Sequence, residues 1–387
     1  MKAEWQTINL GGLCDVLDHQ RRPITKRDRV AGEYPYYGAT GVLDYVEGYI
    51  FDEKLVLVGE DGAKWGSGEH TAFAVEGKCW VNNHAHVLRP HRSVLLDNWL
   101  IYFLSHSNLS GFVSGLTVPK LNQGSLREIP IPLPPLPEQR RIVGILDEAF
   151  AGITTAKANA EKNLQKARDL FESHLQSVFT QRGEGWVETT LERVLTVQPQ
   201  NGWSPPAGNH SDSGTPVLTL SSVTGFRFRP DKIKFTSAST DSRRNYWVKN
   251  GDFLITRSNT PELVGHVAIA SGITEPTIYP DLIMRMNPAP DRMVTEFLYY
   301  QMRCPSLRRE ITGRAQGANP TMKKISNGSV KTLPIAVPSI AAQHAIVETL
   351  NALTTETQRL ESIYQQKLTA LEELKKSLLH QAFTGAL

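Results

Sequence analysis

The stretch LPPLPEQRRIVGILDEAF (Leu133–Phe150), followed further on by SHLQSVFT (Ser173–Thr180), decides the fold because the chain contains a second version of it. The second version reads AVPSIAAQHAIVETLNAL (Ala336–Leu353) and closes with SLLHQAFT (Ser377–Thr384). The two versions align at one constant offset of 204 residues, without an insertion or a deletion. Such self-similarity indicates an internally duplicated chain.

The alignment also extends upstream of the quoted stretch. The paired positions include Lys120 and Lys324, Gly124 and Gly328, Pro134 and Pro338, Gln139 and Gln343, Leu146 and Leu350, Leu175 and Leu379, and Phe179 and Phe383. Two unrelated coiled-coil oligomerisation helices would explain the helical periodicity alone. They would not explain a loop, an extended segment and a tail that recur at the same offset.

Each copy predicts a proline-rich extended segment followed by a long helix. Proline lacks a backbone N–H and biases the preceding residue towards extended geometry, so the helix cannot start early. In the second copy, apolar residues recur in alternating steps of four and three, a heptad pattern with weak positions at Thr357 and Lys367. About 43 helical residues would form a rod of roughly 65 Å, which suits a spacer.

The composition is that of an ordinary soluble protein with room for two or three domains. The 387 residues are 40% hydrophobic and 21% charged, with a net charge of +3, and no apolar run reaches the length of a membrane span. The N-terminal sequence has no apolar signal-peptide core, so we expect a cytoplasmic protein. Three widely separated cysteines fit a reducing compartment.

The repeat divides the chain into segments 1–132, 133–182, 183–336 and 337–387. In the first and third segments, runs that alternate apolar and polar residues predict strands, and a helix-like stretch closes each segment. The sequence YYGATGVLDYVEGY (Tyr36–Tyr49) is interpreted as a turn-rich connection. We therefore predict a mixed α/β (α+β) fold: two domains with twisted, largely antiparallel sheets, separated by two long helices.

Basic residues are concentrated in one part of the third segment. Between Gly225 and Arg257, eight basic residues stand against three acidic ones, interleaved with aromatic residues. Such a stretch supplies cations for phosphates and polar groups for base edges, although a solvated strand face has the same charge pattern. The candidate nucleic-acid-binding residues here are Arg227, Arg229, Lys232, Arg243, Arg244, Arg257 and Asn259.

The first segment contains a thinner set of candidates. They are Lys26, Arg27, Tyr37, Thr40, Lys64 and His84. Lys120 and the pair Lys323-Lys324 occupy matching places before the two helices, which favours contacts with a phosphate backbone, although exposed lysines often only increase solubility.

Cys79, His84, His86 and His91 suggest a metal site only weakly. Their spacing fits no standard zinc pattern, and His84 and His86 are predicted to share one strand face, so we expect no metal. The sequence also lacks the GxxxxGK[ST] phosphate loop, a glycine-rich cofactor turn and the [DN]PP[YF] tetrapeptide of N6-adenine methyltransferases. We expect a non-catalytic chain with no cofactor of its own.

Together these features closely resemble the specificity (S) subunit of type I restriction-modification systems. The resemblance covers essentially the whole chain, and it is most specific at PLPEQRRIV (Pro135–Val143), which opens the first helix, and at QAFTGAL (Gln381–Leu387), which closes the second. It implies that segments 1–132 and 183–336 are target-recognition domains. The two helices would pack as an antiparallel coiled coil around a pseudo-twofold internal repeat.

The resemblance also implies a function and partners. Each domain would read one half of a bipartite, asymmetric double-stranded DNA target, and the helices would set the spacing. Two modification subunits would dock on the helices and methylate adenine at N6, using S-adenosylmethionine bound to those subunits, and restriction subunits would then join. The implied partner-binding residues are Leu136, Pro137, Glu138, Gln139 and Gln343.

The second copy departs from the family pattern after Ser339. Its SIAAQHAIV retains only the glutamine of the PEQ element, which makes equal affinity of the two helices for modification subunits doubtful. Two alternatives remain: a coiled-coil scaffold that binds no DNA, and the recognition half of a fused endonuclease-methyltransferase. The positions of the first domain and of the final tail lead us to expect a complete chain rather than the latter.

Overall fold

The computed structural model describes residues 5–115, 117–319 and 321–387 and contains two compact units. Unit 1 comprises Met1–Lys162 and Tyr364–Leu387, and unit 2 comprises Asn163–Ile363. The unit boundaries fall inside the two long helices, so they divide the chain differently from the four predicted segments. Each unit contains the beginning of one long helix and the end of the other.

The two long helices are close to the predicted positions and length. The helices are α1 (Asp97–His106), α2 (Gln123–Arg127), α3 (Leu136–Thr180), α4 (Thr295–Arg303), α5 (Pro305–Arg314), α6 (Asn327–Lys331) and α7 (Ile340–Phe383). α3 has 45 residues and α7 has 44. No helix in the described part of the chain is long and apolar enough to cross a membrane.

Unit 1 contains two four-stranded sheets, in the orders β2-β9-β6-β7 and β4-β3-β8-β5. Its strands are β1 (Gln6–Asn9), β2 (Cys14–Val16), β3 (Ala31–Gly38), β4 (Gly41–Val46), β5 (Phe51–Asp52), β6 (Leu55–Gly59), β7 (Ala72–Val75), β8 (Lys78–Val81), β9 (Ala85–Pro90), β10 (Val113–Ser114), β11 (Lys120–Leu121) and β12 (Pro130–Leu133). The first sheet is entirely antiparallel, and in the second only β3 and β8 pair in parallel.

Unit 2 repeats this plan with sheets in the orders β14-β23-β19-β21 and β15-β17-β16-β22-β18. Its strands are β13 (Val187–Thr190), β14 (Leu195–Asn201), β15 (His210–Ser211), β16 (Thr215–Leu218), β17 (Ile233–Thr236), β18 (Trp247–Val248), β19 (Phe253–Thr256), β20 (Ser258–Asn259), β21 (Val267–Ile269), β22 (Thr277–Ile278), β23 (Ile283–Pro288), β24 (Lys323–Lys324) and β25 (Pro334–Val337). Here β16 and β22 form the parallel pair. The largely antiparallel α+β fold is therefore confirmed.

The segment Tyr36–Tyr49 is a β-hairpin rather than the predicted turn-rich connection. β3 and β4 pair in antiparallel register from Ala31 to Val46, with Ala39 and Thr40 at the tip. The sequence pattern was misleading because Gly38 and Gly41 bracket a two-residue turn, and tight hairpin turns favour glycine.

Within unit 1, the first part of α3 and the last part of α7 run in opposite directions. Arg141 Nη2 donates a hydrogen bond of 2.9 Å to a backbone oxygen of Leu387. Further along α3, Lys157 forms an ion pair with Glu372, which comes earlier in the chain than Leu387. Buried side chains from both helices, including Leu146 and Leu379, join the core of the unit.

Within unit 2, the last part of α3 and the first part of α7 are also antiparallel. Arg168 Nε lies 2.7 Å from Glu361 Oε1. Phe179, near the end of α3, and Val347, near the start of α7, belong to one hydrophobic core. The predicted antiparallel pairing of the helices is thus present in each unit.

Candidate nucleic-acid interface

A two-stranded ribbon brings four of the predicted DNA-binding residues of unit 2 together. β20 and β24 pair so that Ser258 faces Lys324 and Asn259 faces Lys323. Arg257 immediately precedes β20, and its carbonyl oxygen accepts a hydrogen bond of 2.9 Å from the N–H of Ile325. Lys324 is exposed, whereas Lys323 Nζ donates to the carbonyl oxygen of Gly317 at 2.9 Å. We call residues 257–259 and 323–324 the unit 2 ribbon.

Unit 1 contains the same ribbon with different side chains. Asp61 forms an antiparallel bridge with Lys120, and the N–H of Leu121 donates to the carbonyl oxygen of Glu60 at 2.8 Å. The side chain of Lys120 lies 2.8 Å from Glu60 Oε1 and 3.9 Å from Asp61 Oδ2. His84 contacts the other carboxylate oxygen of Asp61. We call residues 60–61 and 120–121 the unit 1 ribbon.

The two ribbons differ most at two equivalent positions. The shared backbone pairing places Glu60 where unit 2 has Arg257, and Asp61 where it has Ser258. The lysine of unit 1 is therefore neutralised by carboxylates of its own domain. Among the described residues, Lys324 forms no ion pair. The unit 2 ribbon is the more strongly positive surface.

Beneath the unit 1 ribbon lies a buried ionic network. His86 is 0% exposed, and its Nδ1 lies 2.6 Å from Asp18 Oδ2 while its Nε2 lies 2.7 Å from the carbonyl oxygen of Leu121. A carbonyl oxygen only accepts, so Nε2 carries a proton. Arg21 contacts both Glu60 and the carbonyl oxygen of Ala85. The network ties the ribbon to strand β9.

The carboxyl groups of this network are held in their charged form. Burial alone would raise the pKa of Asp18, but the hydrogen bond and charge of His86 outweigh it and lower the pKa. Burial likewise opposes ionisation of Glu60, but hydrogen bonds from Lys120 and Arg21 lower its pKa. Buried charges that are fully paired in this way tolerate desolvation.

Asp18, Glu60 and His86 also bring potential metal-ligand atoms within 4.8 Å of one another. Arg21 and Lys120 already balance the carboxylates, and both His86 nitrogens are engaged. Cations of the chain thus take the place that a metal would need. The expectation that His84 and His86 share a strand face is wrong, because His84 precedes β9 and is half exposed.

Thr40 lies near the unit 1 ribbon. A Cβ on Gly59 would lie only 3.1 Å from the carbonyl oxygen of Ala39, so the hairpin tip with Thr40 packs directly on the residue before Glu60. Tyr37 is a further candidate of unit 1. Its carbonyl oxygen accepts a hydrogen bond from the N–H of Asn82, and its ring packs on Phe73 with the ring centroids 5.9 Å apart.

The remaining unit 1 candidates are exposed but are not joined to the ribbon by a described contact. Lys64 is 80% exposed, and its Nζ lies 4.0 Å from Glu69. Lys26 and Arg27 lie on an exposed turn, where the nearest partner of Arg27 is Asp28 at 3.4 Å.

The basic candidates of unit 2 outside the ribbon fall into four different settings. Arg229 donates to the carbonyl oxygens of Ser221 and Thr224, which makes it a structural residue of its own loop. Lys232 is half exposed beside Asp231. Arg243 and Arg244 are exposed beside Asp241, and Arg227 lines a cavity against the long helices. Arg257, Asn259, Lys323 and Lys324 lie together on the unit 2 ribbon.

The glutamines predicted to bind partners have buried side chains. Gln139 accepts from the N–H of Leu96 at 2.9 Å and donates to the carbonyl oxygens of Val94 and Pro134, both at 2.8 Å. Both Gln139 and Gln343 are 0% exposed. A partner cannot contact either amide directly in this conformation, so we revise their role to positioning the helix starts.

The other predicted partner-binding residues remain accessible. Pro137 is exposed, and Leu136 lines an open groove of about 520 Å³ together with Trp5, Val94 and Pro135. Glu138 forms a two-point ion pair with Arg141. Their contact with a partner stays a prediction.

Sequence reasoning missed the ionic network of Asp18, Arg21, Glu60 and His86. These residues come from distant parts of the chain, and only the strand order brings them together. The one sequence signal was a histidine, His86, within the apolar run of β9.

The comparisons with known proteins agree with one another. The family model described as type I restriction modification DNA specificity domain matches residues 2–165 and 183–370. A type I restriction enzyme specificity subunit of Haemophilus influenzae is 27% identical over 390 residues, which cover 97% of this chain and 93% of the relative. The EcoKI specificity subunit of Escherichia coli is 24% identical over 355 residues, covering 87% and 75%.

Two solved structures share the fold. A chain from work on complex assembly and conformational transition of the type I R-M system matches with a TM-score of 0.75 and 18% identity, covering 100% of this chain and 99% of the other. The HsdS subunit from Thermoanaerobacter tengcongensis matches with a TM-score of 0.59 and 18% identity, covering 100% and 98%.

Proposed function

Because the chain belongs to the type I restriction modification DNA specificity family, we propose that it reads the target of a type I restriction-modification complex in two separate halves. One observation carries this proposal. Units 1 and 2 present the same ribbon, but Glu60 and Asp61 of one correspond to Arg257 and Ser258 of the other. The same framework with different side chains suits two different half-sites, hence a bipartite and asymmetric target.

Charge supports DNA as the ligand. Exposed Lys324, with Arg257 and Lys323 beside it, offers cations to phosphates, and Asn259 offers an amide suited to base edges. Binding of this kind releases counterions, so affinity for duplex DNA falls as salt increases.

The long helices are proposed to set the spacing of the half-sites and to dock two modification subunits. The supporting observation is that α3 begins in unit 1 and ends in unit 2, whereas α7 does the reverse. Restriction subunits join this core. The second helix lacks the Glu138–Arg141 pair because Ala342 and Ala345 stand at the equivalent positions, which favours unequal docking.

The chemistry is assigned to the partners. The chain lacks the sequence motifs for binding a methyl donor or a flipped adenine, so methylation at N6 and cleavage belong to the modification and restriction subunits. The chain itself uses no cofactor. Its place of action is the cytoplasm, where its DNA target lies.

The test combines binding with methylation mapping. Genome-wide mapping of N6-methyladenine in cells with and without this chain should reveal one lost motif made of two dissimilar halves with a fixed spacer. A mobility-shift series over increasing salt, using the chain with its modification subunit, should show steeply falling affinity. Unchanged methylation together with no salt-sensitive duplex binding would favour a scaffold and refute the proposal.

A further inference from the structure

Unit 2 contains a cavity of about 710 Å³ between the loop Gly225–Arg227, helix α4 and the unit 2 parts of α3 and α7. Its walls combine aromatic and charged side chains. The residues that matter here are Phe171, Tyr300, Arg303, Thr354, Thr357 and Arg227. Thr357 is a weak position of the predicted heptad, and the cavity explains it, because Thr357 faces this space.

The repeat shows what fills the equivalent place in unit 1. There the hydroxyl of Tyr102 contacts Asp147, and the ring of Phe150 packs edge-on to Tyr102 with centroids 5.3 Å apart. Lys375 Nζ lies 5.4 Å from the centroid of the Phe150 ring. An aromatic ring in this position is therefore held by a second ring and a cation.

In unit 2 a threonine replaces the phenylalanine of α7, and the ring that lies beside Tyr300, with centroids 6.5 Å apart, is Phe171 of α3. The hydroxyl of Tyr300 donates to Asn351 at 2.6 Å, and position 354, which corresponds to Phe150, is Thr354, 3.1 Å from that hydroxyl. A cation is again present, because Arg303 lies 4.9 Å from the Phe171 ring. The cavity is thus an aromatic slot to which α7 contributes no ring at position 354.

The charges around the slot favour the binding of a segment with acidic residues. Arg168, Arg227 and Arg303 face Glu172 and Glu361, so arginines outnumber the acids. Burial raises the pKa of Glu172, and the charge of Arg303 only partly counters it. Arg303 lies 3.8 Å from Glu172 and Arg168 lies 2.7 Å from Glu361, whereas Arg227 is exposed at the rim.

We propose that this slot receives an aromatic side chain flanked by carboxylates from a modification subunit, and that only unit 2 offers it. The inference rests on the proposed function, because it presumes that modification subunits dock on this chain. Phe150 shows that a ring fits the framework, and the arginines supply the complementary charge. Buried aromatic anchors of this kind dominate many protein interfaces.

The experiment places an aromatic side chain of the chain itself in the slot. Thr354→Phe reproduces in unit 2 the residue present in unit 1, and Thr355→Phe places the same ring on the exposed neighbouring position as a matched control. The modification subunit is titrated by calorimetry into the full-length wild-type chain and into each variant. Thermal unfolding checks that each variant is folded.

Thr354→Phe is expected to weaken one binding step by about tenfold or more, whereas Thr355→Phe binds like the wild type. Equal binding of Thr354→Phe and wild type, or equal weakening by both variants, would overturn the slot proposal. If Thr354→Phe fails to fold, Arg227→Glu at the exposed rim decides, since the proposal requires it to weaken the same step. A modification subunit that does not bind the wild type would refute the proposed function itself.

Discussion

Gln139 and Gln343, 204 residues apart, make the same three hydrogen bonds in their own units. Gln343 accepts from the N–H of Val294 at 2.7 Å and donates to the carbonyl oxygens of Arg292 and Pro338, both at 3.0 Å. Each amide thus fastens the first turn of a long helix to the loop before α1 or α4. Both copies of the repeat therefore contain the same buried set of hydrogen bonds, rather than the same surface contact.

Replacing Gln139 by leucine should destabilise the chain by about 3 kcal/mol, because three backbone groups, at least partly buried, lose their partner. Chemical denaturation measures the free energy of unfolding. Arg140→Leu removes a polar group from the exposed neighbouring position and serves as the control. A Gln139→Leu variant as stable as the control would show that these hydrogen bonds contribute nothing.

Lys324→Ala should weaken duplex binding and lower the slope of log affinity against log salt by about one, because Lys324 is an exposed cation of the unit 2 ribbon. Lys120→Ala should change the slope less, because Glu60 already neutralises the Lys120 ammonium. Binding titrations at several salt concentrations compare the two. Equal slopes for the two variants would argue against the charge difference between the ribbons.

Asp61→Ser should increase affinity for DNA. Ser258 stands at the equivalent position of unit 2, so the substitution gives both ribbons a serine there. It also removes a negative charge beside Lys120. We expect a gain of about threefold at low salt that disappears as salt screens the charges. Fluorescence anisotropy with a labelled duplex measures it, and weaker binding at low salt would contradict the ribbon's contact with phosphates.

Arg257→Ala should relax specificity only at the half-site read by unit 2, by about 1–3 kcal/mol per affected base pair. The Arg257 side chain is 30% exposed, and its Nη1 lies 3.3 Å from the carbonyl oxygen and 4.0 Å from the carboxylate of Asp281. Methylation of a library with each half-site randomised is the readout. Equal loss at both halves would place Arg257 elsewhere.

Arg229→Ala is the matched control for Arg257→Ala. The Arg229 guanidinium is occupied by two carbonyl oxygens of its own loop. We therefore expect a loss of stability without a selective change at either half-site. A selective change with Arg229→Ala would mean that this loop also reads DNA.

Acid should weaken unit 2 through His266. Burial, reinforced by the charge of Arg308, lowers the pKa of His266 from 6.5 to about 4, and its Nδ1 accepts a hydrogen bond of 3.0 Å from the N–H of Gly225. The folded state prefers neutral imidazole, so the stabilisation is complete above pH 6.5 and is lost as pH falls towards 4. The expected loss is about 3 kcal/mol.

His266→Asn tests this pH dependence, because an amide oxygen replaces Nδ1 as the acceptor without titrating. Unfolding free energies measured between pH 7 and pH 4 should fall more for the wild type than for His266→Asn. Parallel pH profiles would remove His266 as the cause.

The sequence predicted the repeat, the positions of the long helices and the main strands, because proline punctuation and heptad spacing are local signals. It did not reveal why Thr357 is a weak heptad position, nor that the charge of Lys120 is neutralised. Thr357 interrupts the heptad because of a cavity formed with α4 and the loop at Gly225, and Lys120 is neutralised by Glu60. Both depend on contacts between residues that are distant in sequence.

The candidate DNA-binding residues illustrate the same limit. The count of basic residues selected both Arg229 and Arg257 as candidates. The Arg229 guanidinium, however, donates its hydrogen bonds to carbonyl oxygens of its own loop. The offset of 204 residues was the better guide, because it paired Lys120 with Lys324 and so located both ribbons. Composition indicated which residue types are present, whereas the repeat indicated which positions are equivalent.

The division of the long helices also bears on the order in which the two units can fold during synthesis. Leu379 and Ala382 are fully or almost fully buried in unit 1, so its core cannot close before the ribosome has synthesised nearly all of α7. Unit 2 is one continuous stretch, Asn163–Ile363, and all of its residues emerge earlier. Unit 2 can therefore complete its core before unit 1, whose last segment, Tyr364–Leu387, is synthesised after it.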